Sequence, residues 1–116
     1  MGSKIPRRNQ IWLVEFSPSI GRELKDPHPA LVVSADELNK SPWGLIVVCP
    51  LTSSRKERVF RLHVLALPPE VKHESVIRVD QVKSVSVERF IEPLGEVKPA
   101  TMQKVEFVLK KVLGLE

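Results

Sequence analysis

The chain has 116 residues, 42% hydrophobic and 28% charged, the size of one globular domain with one core, so a single domain over residues 1–116 is expected. The 18 Lys and Arg against 14 Asp and Glu leave a net charge of +4, which favours an anionic partner such as nucleic acid without requiring one. The single cysteine, Cys49, excludes an intramolecular disulfide and suits a reducing cytoplasm; the basic start leads only into Ile11–Val14 before Glu15 interrupts, too short for a secretory or membrane segment.

In chain order, residues 1–8 are expected to form a flexible N-terminal segment. Ile11–Phe16 is β-branched and aromatic, too short for a stable helix, and reads as a strand. A polar connection punctuated by Pro and Gly follows, carrying Arg22, Lys25 and His28. Loops of that length in small domains are usually functional. Ala30–Ser34 is the second strand, and Asp36–Asn39 suggests one helical turn before Ser41-Pro42. The apolar run Leu45–Cys49 predicts a strand covered on both faces, with Cys49 a buried, inert thiol; Pro50 interrupts it ahead of the hydroxyls Thr52, Ser53 and Ser54.

Arg58–Val64 alternates with Phe60, Leu62 and Val64 on one face, which makes His63 a surface residue of a half-exposed strand. Leu67-Pro68-Pro69 marks a turn, and Val76–Val79 a further strand. A parity slip between Ile77 and Val87 then predicts a bulge or bend near Asp80-Gln81. Pro99–Leu113 is the one clear helix, with Met102, Val105, Val108, Leu109, Val112 and Leu113 on one apolar stripe and Gly114 at its end. Phe107 falls on the opposite face. Many short strands with one terminal helix predict a mostly β domain, a small, strongly bent sheet or open barrel with the helix packed on it.

His28, His63, His73 and Cys49 do not approach metal-ligand spacings, and no P-loop, dinucleotide fingerprint or G-x-S-x-G elbow occurs, so neither metal nor cofactor is expected. What remains is the Arg22, Lys25 and His28 loop, the hydroxyls after the third strand, and the polar bend Asp80-Gln81-Val82-Lys83-Ser84. Cations and hydroxyls together suit a phosphodiester, although three solvated loops would look the same.

Five ordered blocks resemble the MazF/PemK toxin family: Ile11-Trp12-Leu13-Val14-Glu15-Phe16-Ser17-Pro18, Gly21-Arg22-Glu23, Pro29-Ala30-Leu31-Val32-Val33-Ser34, Cys49-Pro50-Leu51-Thr52-Ser53 and Asp80-Gln81-Val82-Lys83-Ser84. The resemblance implies an SH3-like small barrel that forms a homodimer. It also implies the toxin of a toxin-antitoxin system, cleaving single-stranded RNA without a metal, with a cognate antitoxin whose flexible acidic tail occupies the RNA groove.

The family's acting pair is an arginine just before the Pro-Ala-Leu-Val run and a threonine after the third strand. Thr52 matches the threonine, but His28 stands at the arginine position, and Asn9-Gln10 replaces a usual Gly-Asp or Gly-Glu pair. The assignments that follow are His28 for proton transfer, Thr52 for hydrogen bonding the phosphate, and Arg22, Lys25, Ser53, Gln81 and Lys83 for holding RNA, with Trp12 and Trp43 as core or as base-stacking surfaces. Two readings of His28 stay open. In one the protein has adapted to an imidazole; in the other histidine attenuates cleavage, because it lacks arginine's permanent charge and bidentate grip. The retained family pattern around His28 favours attenuation. The alternatives from other classes are a non-cleaving binder of the same fold, such as a gyrase inhibitor resembling the CcdB family, and a generic SH3-like peptide binder. The first lacks its C-terminal Trp here, and the second lacks its aromatic cluster.

Overall fold

A computed structural model describes residues 5–16, 27–53 and 61–115. Among these, seven strands form one antiparallel sheet: β1 (Gln10–Val14), β2 (His28–Val32), β3 (Leu45–Ser53), β4 (His63–Ala66), β5 (Ser75–Arg78), β6 (Lys83–Ser86) and β7 (Phe90–Glu96). A four-residue helix α1 (Asp36–Asn39) follows β2, and α2 (Pro99–Leu113) closes the chain. The hydrogen-bonded order is β4-β5-β3-β2-β1-β7, with β6 also on β3. The path ends at β4 and β7, so the expected barrel is an open, bent sheet.

Side-chain alternation along the strands builds two cores. Ile11, Leu31, Cys49, Leu51 and Ile77 lie beneath α2, which contributes Met102, Val105 and Val108. Trp12, Val14, Ala30, Val32, Ile46 and Val48 form the second core with Val85. β3 therefore has an apolar layer on each face, as its continuous run predicts. α2 keeps its expected limits, with Pro99 in its first turn and Gly114 left-handed at φ 67°. Leu109 and Val112 pack on the core, while Leu113, placed on the stripe by periodicity, is exposed in the last turn. Phe107 is 57% exposed, with Lys111 Nζ 4.7 Å from its ring centre.

Strand boundaries differ from expectation, β2 by running from His28 to Val32 where Ala30–Ser34 is expected. β3 does not stop at Pro50. Its Leu45–Val48 half pairs with β6 and its Leu51–Ser53 half with β5, so Pro50 falls where the strand changes neighbours and the missing N–H is tolerated. β4 starts at His63 and runs to Ala66; the earlier part of the predicted strand, residues 58–60, lies outside the described residues. The predicted bend at Asp80-Gln81 is a 3₁₀ turn, Val79–Gln81, which reorients the chain between β5 and β6.

The N-terminal segment, expected to be flexible over residues 1–8, is tied down from Pro6 onward. Pro6 is fully buried, the Arg8 backbone N–H donates to Asp36 Oδ1 at 2.8 Å, and the Arg8 guanidinium reaches the Val33 carbonyl and Glu106. Asn9 then adopts φ 82° while its N–H donates to the Val32 carbonyl. That conformation favours Gly and tolerates Asn better than most residues.

Candidate active site

β2 and β3 set Ala30 opposite Pro50, Leu31 opposite Cys49 and Val32 opposite Val48. His28 lies two residues before Ala30 on β2, and Thr52 two residues after Pro50 on β3. On its other side β3 pairs with β5, placing Thr52 opposite Val76 and Ser53 opposite Ser75. A cavity of about 950 Å³ opens at this end of the sheet, lined by His28, Thr52 and Ser53 together with Lys72, His73 and Glu74, over a floor that includes Pro29 and Leu51. The structure thus gathers three of the sequence-designated residues, from two strands, at one wall.

Thr52 Oγ1 is buried and meets no hydrogen-bond partner among the described residues. A hydroxyl so placed gains from any acceptor or donor that enters, since leaving it unpaired costs about 1–3 kcal/mol. Lys72 and His73 were not identified from sequence as site residues. They reach the cavity only through the register of β5 on β3, which no local motif encodes.

The other designated residues lie elsewhere. Gln81 and Lys83 are exposed, on the 3₁₀ turn and at the start of β6, and neither lines the cavity; Lys83 Nζ sits 5.4 Å from the Phe16 ring centre. Arg22 and Lys25 lie outside the described residues. Trp12 is 5% exposed, packed edge-to-face on Phe90 with centroids 5.9 Å apart, and its indole N–H donates to Gln10 Oε1, so it is core and not a stacking surface. Trp43 is 73% exposed. Cys49 is buried as expected, and burial, with a smaller contribution from Asp80, pushes its thiol up to about 12, which keeps it protonated and inert.

His63 corrects the reading of β4. It is 7% exposed, with Nε2 3.3 Å from Asp80 Oδ1. The physical reason is the β4–β5 register: His63 pairs with Arg78, so the following turn folds Asp80 back over the imidazole. Arg78 grips the same carboxylate, Nε to Oδ1 at 3.1 Å and Nη2 to Oδ2 at 3.2 Å. Desolvation works against the Asp80 charge, but the hydrogen bonds and charge of Arg78, with a contribution from His63, outweigh it and hold the carboxyl below its usual range.

Residues 7–113 match the family of PemK-like, MazF-like toxins of type II toxin-antitoxin systems. The chain belongs to this family. It is 32% identical to the endoribonuclease MazF9 of Mycobacterium tuberculosis over 114 residues, which cover 94% of this chain and 97% of that protein. The fold is similar to crystalline MazF from Deinococcus radiodurans, with a TM-score of 0.82 at 27% identity, covering 97% of this chain and 99% of the other. It is also similar to a mycobacterial endoribonuclease solved in complex with its cognate antitoxin, with a TM-score of 0.79 at 26% identity, covering 96% and 97%.

Proposed function

We propose that this chain is the toxin of a toxin-antitoxin pair and cleaves single-stranded RNA without a metal. The observation that carries the reading is the cavity lined by both His28, on β2, and Thr52, on β3, in a chain of the MazF-like toxin family. In the reaction the ribose 2′ oxygen bonds to the adjacent phosphorus and the bond from phosphorus to the 5′ oxygen breaks. The 2′ proton leaves to a base, the 5′ oxygen receives one from an acid, and the products are a 2′,3′-cyclic phosphate and a 5′-OH. His28 moves a proton and Thr52 hydrogen-bonds the phosphate. Ser53, Gln81, Lys83, Arg22 and Lys25 hold the RNA.

Incubation with mixed-sequence single-stranded RNA in EDTA, with the ends mapped, tests this. Discrete cuts ending in cyclic phosphate and 5′-OH are expected. Intact RNA overturns the reading. The histidine at the family's arginine position supports one second reading, an RNA-binding homologue that does not cut, and intact RNA with salt-dependent binding would select it.

The same proposal includes a homodimer, since one 13.1 kDa chain offers only a short groove, and an antitoxin with an acidic tail that competes with RNA. Light scattering is expected to give twice the chain mass, and a monomer at micromolar concentration rejects the dimer. An acidic peptide from the antitoxin is expected to displace RNA.

A further inference from the structure

We propose that His73 is the second proton-transfer group of this site, lining the same cavity as His28 and Thr52, so that the chain cuts RNA with two imidazoles; the inference rests on the RNA-cleaving reading of the cavity. Transesterification moves two protons at oxygens on opposite sides of phosphorus, and a single imidazole on β2 serves only one of them. A second imidazole, that of His73, lines the same cavity. β3, carrying Thr52, lies between β2, carrying His28, and β5, which begins two residues after His73. Together with Thr52, His28 and His73 line one cavity, whose volume of about 950 Å³ leaves room for a phosphodiester.

The segment carrying His73 is anchored at both ends. Glu70 accepts from the Lys98 backbone N–H at 2.6 Å and from Thr101 Oγ1 at 2.8 Å, fixing the segment to the start of α2. Ser75 Oγ donates to the His73 carbonyl at 2.8 Å just as Ser75 enters its ladder with Ser53. His73 is thus presented from a turn pinned to a helix and a strand. The titratable groups lining the cavity are His28, Lys72, His73 and Glu74. Lys72 is the local cation for the phosphate charge.

The half-buried His28, on its strand, takes the 2′ proton. The exposed His73 gives a proton to the 5′ oxygen.

The test uses the full chain, EDTA and an RNA holding one mapped cut site, with single-turnover rates read against pH. The wild type is expected to give a bell-shaped profile. His73→Gln is expected to lower the rate by about 10²-fold or more, to abolish the alkaline fall of the profile, and to leave RNA affinity and thermal stability unchanged. A substrate with sulfur replacing the bridging 5′ oxygen releases a thiolate that needs no acid. It is expected to restore His73→Gln to near the wild-type rate and not to restore His28→Gln. A His73→Gln protein with the wild-type rate and profile overturns the inference while leaving the RNA-cleaving reading intact. So does a slow His73→Gln protein that sulfur fails to rescue, which reduces His73 to a positioning role. Rescue of His28→Gln instead overturns the assigned roles. A wild type that leaves all RNA intact overturns the cleavage reading and this inference together.

Discussion

The cavity at the β2–β3 end and the cleft between β4 and α2 both contain histidine, in opposite surroundings. In the cleft, of about 560 Å³ and bordered by Leu65, Lys104 and Phe107, His63 is buried with its Nε2 on a carboxylate that Arg78 also holds. In the cavity, His28 is half-buried and His73 exposed, and among the described residues neither imidazole makes a hydrogen bond or ion pair. A buried imidazole already held against a carboxylate joins β4 to the turn after β5. One that faces hydroxyls and a lysine across open space is available to a ligand's protons. The same residue type therefore divides into a structural connector and candidate chemistry, and the division follows from which strand registers bring charge to the ring.

The largest expected effect falls on the cavity side. His28→Ala is expected to lower RNA cleavage by about 10²-fold or more with a much smaller effect on the unfolding midpoint, because proton transfer is lost while the side chain is only half-buried. His28→Arg sharpens the result by separating adaptation from attenuation. With His73 as a second imidazole the arginine variant gains nothing, whereas a rise of about two orders of magnitude would mean that the histidine merely weakened a site built around arginine's permanent charge.

In the cleft the expected effect is on stability. His63→Ala removes a buried side chain that Asp80 contacts and is expected to destabilise the fold by about 1–3 kcal/mol in denaturant titration. Cleavage per folded molecule should hold if this histidine is only a connector. An unchanged unfolding midpoint would show that the contact with Asp80 does not hold β4 in place.

A smaller effect separates the two regions by pH. The Asp80 carboxyl is held below its usual range in the fold, so its contribution to stability is fully present above the unfolded carboxyl value near 3.9 and is lost as pH falls through the folded one. Asp80→Asn is expected to lower the unfolding free energy most at neutral pH, by about 1 kcal/mol because the carboxylate is partly exposed to solvent. The gap to wild type should close in acid. A gap independent of pH would mean that the side chain acts through packing.

Much of this division was legible in the sequence, and its failures share one cause. β1, β2 and α2 were readable because alternation and the 3.6-residue stripe are local signals, and the double-covered run Leu45–Cys49 marked β3 as central. His28 and Thr52 were found through the ordered family blocks. The misread features depend on pairing between distant segments. Pro50 is tolerated because β3 changes partners there, His63 is buried because β4 meets Arg78, and His73 enters the cavity because Ser75 meets Ser53. Register of that kind is a tertiary property that one strand's own pattern does not specify.

The smallest effect concerns how far the RNA path extends beyond the cavity. Lys83 begins β6 opposite Val48, exposed, with its ammonium over the Phe16 ring, and it does not line the cavity with His28. If RNA runs from the cavity across this end of β6, Lys83 neutralises one phosphate. Lys83→Ala is then expected to make the slope of log affinity against log salt shallower by about 0.7, the value for one contact on a single strand, while cutting at the same sequence. A mere point charge far from the chemistry leaves the pH profile of cleavage in place, unlike substitution of either cavity histidine. An unchanged salt slope in Lys83→Ala would confine the RNA to the cavity side of the sheet and remove Lys83 from its path.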